Sequence, residues 1–220
     1  MLQRVLEPEL MDDPQEAIAY DEMDHSDVNR RFVDDLLADG PCGIDVLDIG
    51  TGTARIPIEL CRRDSRCRVF ASDGAKSMLE VARYNIAIAN LEHRVQLHYG
   101  DAKSLNIADA SFDTVISNSL LHHLPDPALA IAEIQRLTRP DGQIFVRDLC
   151  RPDNALELDE LVVRITGNEA PAAQQMFRQS LQAALTLQEI RDLVTCHGHV
   201  SMTSDRHWTW KKVSGTFLAN

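Results

Sequence analysis

Two glycines and an acidic residue follow the first strongly apolar run of the sequence. Asp48 ends that run, and Gly50 and Gly52 come directly after it in residues 46–54. Glycine adopts positive φ angles readily and leaves room for a ligand to approach the backbone. A dinucleotide site would need a third glycine, but Arg55 stands at that position. Because a carboxylate repels a pyrophosphate and attracts an ammonium, the pattern favours a ligand with an amino-acid moiety.

Two further acidic residues follow the next two predicted strands. Asp73 comes 21 positions after Gly52, where a carboxylate could accept hydrogen bonds from both hydroxyls of an adenosine ribose. A helix cap is the structural alternative for Asp73. Asp101 could accept a hydrogen bond from an adenine amino group, with Ala102 leaving space for the ring, and otherwise it is an ordinary loop residue.

Short β-rich runs alternate with amphipathic helical stretches, which indicates βαβ units and a parallel sheet. The predicted strands are Ile44–Ile49, Arg68–Ala71, Arg94–Tyr99, Phe112–Ser117, Gln143–Arg147, His199–Thr203 and His207–Val213. The predicted helices are Val28–Leu37, Ala54–Arg63, Ala75–Ala89, Pro127–Leu137, Ala155–Ile165, Ala172–Leu185 and one that starts at a capping box, Thr186–Glu189. Ser26 or Asp27 is expected to cap the first of these helices, and Pro140–Gly142 is expected to form a turn.

The composition is that of an ordinary globular protein, with 44% hydrophobic and 25% charged residues in 220. No apolar run approaches the roughly 18 residues of a membrane-spanning helix, and the first residues lack the pattern of a signal peptide, so we expect a cytoplasmic protein with no membrane partner. Five scattered cysteines without a CxxC pair are expected to be free thiols. The net charge is −12, and the first 50 residues hold fourteen acidic residues against three arginines, which disfavours a nucleic-acid substrate.

Four segments together resemble the class I S-adenosylmethionine-dependent methyltransferases. They are Val46–Thr53, Ala71–Leu79, Gly100–Ala102 and Ser111–Asp126. They are most similar to the branch that contains the ubiquinone/menaquinone-biosynthesis and other small-molecule enzymes. The resemblance covers about residues 44–150, and it is specific for fold and cofactor but not for substrate.

The resemblance implies a Rossmann-like α/β sandwich of three layers. Its seven-stranded sheet would be mostly parallel, with an antiparallel last strand. We expect a helical N-terminal cap over residues 1–40 and one domain over 41–220 that contains a helical lid insertion at about 152–182. The cap and the insertion are expected to select the substrate, and a homodimer is a further expectation.

The resemblance also implies roles for individual residues toward S-adenosylmethionine and its product S-adenosylhomocysteine. Asp48, Gly50 and Gly52, followed by Thr53, would hold the methionine part, Asp73 the ribose, Gly74 and Met78 the adenine face, and Asp101 and Ala102 the adenine edge. Asn118 would face the methionine part and the reaction centre, and Tyr20 would close over the cofactor.

Two adjacent histidines, His122 and His123, could suggest a metal or a general base. Neighbouring side chains generally point in different directions, so no metal site is predicted. A role in the pocket wall is the leading interpretation, with His122 as a catalytic base the alternative. Asp148, at the end of the fifth predicted strand, could orient an amine, and Arg147 or Arg151 could bind an anionic substrate group or form an ordinary ion pair.

Three functions remain open from the sequence. The favoured one is an enzyme that transfers a methyl group in line to a small-molecule acceptor. The second is an RNA or protein methyltransferase, and Asn118 is not followed by the Pro-Pro-aromatic sequence of many nucleobase amino methyltransferases. The third is a non-catalytic nucleotide- or cofactor-binding Rossmann-like domain, or a nucleotide-dependent oxidoreductase.

Overall fold

The computed structural model describes residues 2–7, 10, 12–23, 25–194, 198–203 and 205–212. Its centre is a seven-stranded sheet in the order β3-β2-β1-β4-β5-β7-β6. The strands are β1 Asp45–Ile49, β2 Arg68–Asp73, β3 Val95–Tyr99, β4 Phe112–Asn118, β5 Thr138–Leu149, β6 His199–Met202 and β7 His207–Lys212. The first five strands pair in parallel, whereas β7 runs antiparallel to both β5 and β6. The predicted fold class is confirmed.

Helices cover both faces of the sheet. They are α1 Pro14–Glu22, α2 Ser26–Leu37, α3 Arg55–Arg63, α4 Lys76–Ile88, α5 Pro127–Leu137, α6 Ala155–Thr166, α7 Pro171–Ala183 and α8 Leu187–Leu193. One apolar core joins α2, α3 and α4 to the sheet, and the other joins α5 and α8 to its opposite face. Val46 belongs to the first core and Leu47 to the second, because successive side chains of a strand point to opposite faces. Because β1 is buried on both faces, its register is fixed by the packing of these side chains.

Three local predictions are wrong in their details. The predicted turn at Pro140–Gly142 lies inside β5, which pairs irregularly with the start of β4. Neither Ser26 nor Asp27 caps α2, since the N-cap position is His25 and no side chain caps it. Helix α3 begins at Arg55 rather than at Ala54, because Ala54 has the left-handed φ of 61°.

The helical insertion packs onto the sheet mainly through its apolar residues. Leu158, Leu161, Val162 and Leu181 are buried in one cluster with Leu149, whereas Ile165 of α6 is exposed. The capping box of Thr186 and Glu189 at the start of α8 is present as predicted. The whole chain's division into cap, domain and lid stays a prediction. In the part of the chain that the structure describes, no helix is long and apolar enough to cross a membrane.

Candidate active site

A cavity of about 780 Å³ opens at the carboxyl ends of β1 to β4. Parallel α/β sheets bind ligands at this edge, where the strand order reverses between β1 and β4. The cavity brings together all the residues predicted to hold a cofactor: Tyr20, Asp48, Gly50, Gly52, Thr53, Asp73, Gly74, Met78, Asp101, Ala102 and Asn118. Their roles toward particular atoms of a ligand remain predictions.

The backbone of the glycine turn is already hydrogen-bonded within the protein. Gly50 and Thr51 donate their N–H groups to the carbonyl of Ser72, at 2.8 and 3.0 Å. Gly52 donates its N–H to Oδ2 of Asp73 at 2.7 Å. A dinucleotide turn offers such N–H groups to a pyrophosphate, so this turn is a poor diphosphate site. It instead presents the carboxylates around it to the cavity.

Asp48 is almost fully buried beneath the turn. Its Oδ2 accepts a hydrogen bond from the hydroxyl of Thr51 at 2.7 Å. Burial raises the pKa of Asp48 to about 7, with the nearby charge of Asp73 adding to the rise and the Thr51 hydrogen bond opposing it. A buried carboxyl with no cationic side chain among these partners is suited to a cationic ligand group.

Gly52 leaves a cradle that a side chain would fill. Its φ is +55°, and a Cβ built on it meets no heavy atom within 4 Å although it lines the cavity. Together with the acidic lining, this open space fits an amino-acid moiety that carries positive charge. The residues present therefore fit S-adenosylmethionine better than a dinucleotide.

Asp73 and Asp101 lie at the ends of neighbouring strands. Asp73 accepts hydrogen bonds from two backbone N–H groups, Gly52 and Ala75, and burial raises its pKa despite them. The cap and ribose interpretations of Asp73 are thus compatible, since one carboxylate has room for several donors. Asp101 is more exposed, and Lys103 donates to it through its backbone at 2.9 Å and its ammonium at 3.0 Å.

Asn118 and the N-terminal helices form the remaining walls of the cavity. Asn118 is the last residue of β4 and donates to the hydroxyl of Ser119 at 3.2 Å. The aromatic rings of Tyr20 and His25 lie 5.0 Å apart, and burial raises the pKa of Tyr20. His25, the residue just before α2, lines the cavity, as does Asn29 of α2.

Sequence reasoning missed Asp21, which joins the N-terminal helices to the glycine turn. Its carboxylate accepts two hydrogen bonds from Arg55, at 2.8 and 2.6 Å, and one from Asn85 at 3.0 Å. Asn85 also donates to the carbonyl of Thr53 at 3.0 Å. These residues lie up to 64 positions apart, and no motif in the sequence signals them.

His122, the alternative catalytic base, and Asp148, the residue expected to orient an amine, do not line the cavity among the residues described. His122 is buried, with Nδ1 2.6 Å from Oδ1 of Asp148 and Nε2 3.3 Å from Oε1 of Glu7. Burial opposes protonation, but the two carboxylates outweigh it and raise the pKa of His122 to about 9. A ring that already carries a proton and faces two carboxylates is poorly suited to accept one from a substrate. The geometry therefore favours a role in positioning over a role in chemistry.

The premise that the two adjacent histidines point apart is wrong. The ring centroids of His122 and His123 are only 4.2 Å apart, with 33° between the ring planes. Nδ1 of His123 lies 3.1 Å from the same Glu7 oxygen that His122 faces. Both rings thus converge on one carboxylate.

The two arginines near the end of β5 are engaged in ion pairs. Arg147 pairs with Asp35 of α2, and Arg151 lies 2.5 Å from Glu189 while it donates to the carbonyl of Ala184 at 2.8 Å. Neither arginine belongs to the described cavity lining. The interpretation of both arginines as ion-pair partners is therefore the correct one.

The strand order, the antiparallel β7 and the cavity at the carboxyl edge define the fold of S-adenosylmethionine-dependent methyltransferases. A structure described as a putative S-adenosyl-L-methionine-dependent methyltransferase of Methanococcus maripaludis superimposes with a TM-score of 0.71. The alignment covers 98% of this chain and 100% of that one, at 20% sequence identity. At this identity the likeness establishes the fold alone.

Residues 47–146 match the family described as "Methyltransferase domain". A malonyl-[acyl-carrier protein] O-methyltransferase of Xylella fastidiosa is 35% identical over 113 residues, which are 51% of this chain and 37% of that protein. A ubiquinone/menaquinone biosynthesis C-methyltransferase of Desulfotalea psychrophila is 32% identical over 123 residues, 56% of this chain and 48% of that protein. The matches thus span half or less of these relatives.

Proposed function

We propose that the chain is an S-adenosylmethionine-dependent methyltransferase that acts on a small-molecule acceptor. The observation that carries the proposal is the ring of carboxylates at the cavity, of which Asp48 is buried below a glycine turn whose N–H groups are already bonded. This arrangement suits a ligand with ammonium and sulfonium charges and two ribose hydroxyls. Relatives of the domain are named methyltransferases of small or carrier-bound acceptors.

The bound cofactor supplies a methyl group on a positively charged sulfur. Asp48 would hold the ammonium of the methionine part, with Gly50, Gly52 and Thr53 around it. Asp73 would accept from the ribose, and Gly74, Met78, Asp101 and Ala102 would surround the adenine. Asn118 and Tyr20 would border the reaction centre and help to exclude water, so that positioning and desolvation supply most of the rate.

The acceptor would enter beside the N-terminal helices. His25, Ser26 and Asn29 line that side of the cavity, with His123 from the loop after β4. Asp21 and Glu22 add acidic groups there, which argues against a phosphate-backbone substrate. The enclosure by α1 and α2 supports a small molecule over RNA or protein. No general base is assigned, since a neutral amine or thiolate acceptor needs none.

The proposal includes two further expectations, one on the location of the protein and one on its oligomeric state. A cytoplasmic location agrees with the buried, unpaired state of Cys42, Cys61, Cys67 and Cys150, since thiols persist in reducing compartments. Cys196 lies outside the described residues. A homodimer remains an expectation whose direct test is the mass of the particle in solution.

Methyl incorporation tests the choice of acceptor class. The full chain would be incubated with methyl-labelled S-adenosylmethionine and separate small-molecule, RNA and protein fractions of a cell extract. We expect the label in the small-molecule fraction. Incorporation that depends on intact RNA or on protein would refute the acceptor class while leaving the cofactor assignment in place.

Cofactor affinity is expected to fall as the pH drops below about 7. The pKa of Asp48 is raised to about 7 in the free protein, so at lower pH the carboxyl is protonated and cannot attract an ammonium. The slope should approach tenfold per pH unit, because each bound cofactor then requires release of one proton. Calorimetry with S-adenosylhomocysteine between pH 5.5 and 8 measures it.

The control for this pH dependence is Asp48→Asn, which keeps an oxygen for the Thr51 hydroxyl but cannot ionise. The affinity of this variant for S-adenosylhomocysteine should be low, and it should not decrease further below pH 7. Since the folded protein disfavours the ionised Asp48, stability from this group is lost as pH rises from about 4 to 7. Asp48→Asn should therefore stabilise the free protein at pH 8, by up to about 4 kcal/mol for a rise of about three pKa units. If the cofactor affinity of the wild type and of Asp48→Asn changes with pH in the same way, Asp48 does not bind the ammonium.

A further inference from the structure

We infer that Glu7, His122 and His123 form a binding site for a divalent transition-metal ion, with Zn²⁺ the best match. These three residues are the one group of three or more metal-ligating side chains whose donor atoms converge within the described part of the chain. One donor atom of each residue lies within 4.8 Å of the other two, and Oε1 of Glu7 faces Nε2 of His122 and Nδ1 of His123. Two imidazoles and one carboxylate are the ligand set that zinc accepts while keeping a fourth position open.

The distances suit coordination better than direct pairing. Oε1 of Glu7 lies 3.3 Å from Nε2 of His122 and 3.1 Å from Nδ1 of His123. A charge-assisted hydrogen bond between such atoms has a typical length of about 2.7–2.9 Å. Ligands about 2.0–2.1 Å from a tetrahedral zinc ion lie about 3.3 Å from one another. The two distances from Glu7 therefore match edges of a zinc tetrahedron.

Asp148 supplies the outer contact that zinc-binding histidines commonly make. Its Oδ1 lies 2.6 Å from Nδ1 of His122, and its Oδ2 accepts the backbone N–H of His122 at 3.1 Å. This pair fixes the ring so that Nε2 faces Glu7, and it raises the basicity of the ligand nitrogen.

The site would fasten the N-terminal segment to the cavity wall. Glu7 belongs to residues 2–7, in which Arg4 donates to the carbonyls of His122 at 3.3 Å and Leu124 at 3.0 Å. Ser180 of α7 also donates to Glu7, at 3.3 Å. His122 is buried and Glu7 is half-buried, whereas His123 reaches the cavity lining with 26% of its side chain exposed. The ion would join the N-terminal segment to the loop after β4 beside the cavity.

Metal titration of the full chain tests this inference. After treatment with a chelator and in the presence of a reductant, the wild-type protein should bind one Zn²⁺ and gain thermal stability from it. Glu7→Gln and His123→Asn, whose partly exposed or terminal positions tolerate change, should each lose at least about a hundredfold in affinity. Asp148→Asn should lose about tenfold to a hundredfold.

His93→Asn provides the matched control, because His93 is exposed and lies outside the cluster. Its zinc affinity should equal that of the wild type. Co²⁺ bound in place of Zn²⁺ should give visible d–d absorption without a thiolate charge-transfer band, which separates this site from the buried cysteines. No zinc binding by wild type, equal binding by Glu7→Gln, or a thiolate band would overturn the inference. Binding of S-adenosylhomocysteine by the same preparations tests the proposed function separately.

Discussion

Replacing Asp73 with alanine should weaken binding of S-adenosylmethionine by at least tenfold, or about 1.4 kcal/mol. The proposed role of the carboxylate is to accept hydrogen bonds from the ribose hydroxyls, and such charge-assisted bonds are among the stronger ones. The structure adds a second reason. Asp73 also accepts the N–H of Gly52 at 2.7 Å and of Ala75 at 2.8 Å, so alanine would release the glycine turn as well. Calorimetric titration of the folded variant measures the loss.

A modified ligand separates the two roles of Asp73. Wild-type protein should bind the 2′,3′-dideoxy analogue of S-adenosylhomocysteine more weakly than the parent compound, because two hydrogen bonds to the carboxylate are lost. Asp73→Ala should bind both compounds equally. Asp73→Asn serves as the matched variant, since it keeps one oxygen for a backbone donor. If the folded alanine variant still discriminates between the two ligands, Asp73 does not bind the ribose.

Gly52→Ala should reduce cofactor affinity by about a hundredfold, or 2.7 kcal/mol. The added methyl group meets no protein atom within 4 Å, but it would occupy cavity space beside the turn where the methionine part is proposed to lie. Alanine would also hold the left-handed φ of +55° at a cost of about 1–2 kcal/mol. Titration with S-adenosylhomocysteine and a thermal unfolding curve separate these two effects.

Gly40→Ala is the control for backbone strain alone. Gly40 has a φ of +119°, and a Cβ there also meets nothing within 4 Å, but Gly40 does not line the cavity. Both variants should be less stable than the wild type, and only Gly52→Ala should lose affinity. Full affinity in Gly52→Ala would show that the cofactor does not approach the backbone at this turn.

The cofactor half of the cavity could be predicted because its residues follow their strands directly. Asp48, Asp73 and Asp101 each come within two residues of a strand end, and neighbouring parallel strands bring their ends to one edge. Their position depends on local sequence and on a sheet order that the strand pattern already implies. A short motif therefore carried most of the required information.

The contacts of the N-terminal segment and helices with the rest of the chain could not be predicted, because they join residues far apart in the sequence. Asp21 reaches Asn85 across 64 positions, and Glu7 reaches His122 from an N-terminal segment without any motif. Arg147 was open to two interpretations until its partner Asp35, 112 positions away, was known. The sequence also could not show that two neighbouring histidine rings lie in contact with their centroids 4.2 Å apart, since this follows from the turn after β4.

Calorimetric titration of the full chain with S-adenosylmethionine, S-adenosylhomocysteine and NAD tests the central claim most directly. The acidic cavity and the internally bonded glycine turn predict that both adenosyl-sulfur compounds bind at one site per chain and that NAD does not bind. Binding of NAD without binding of S-adenosylmethionine would contradict the account and identify a nucleotide-dependent domain on the same fold.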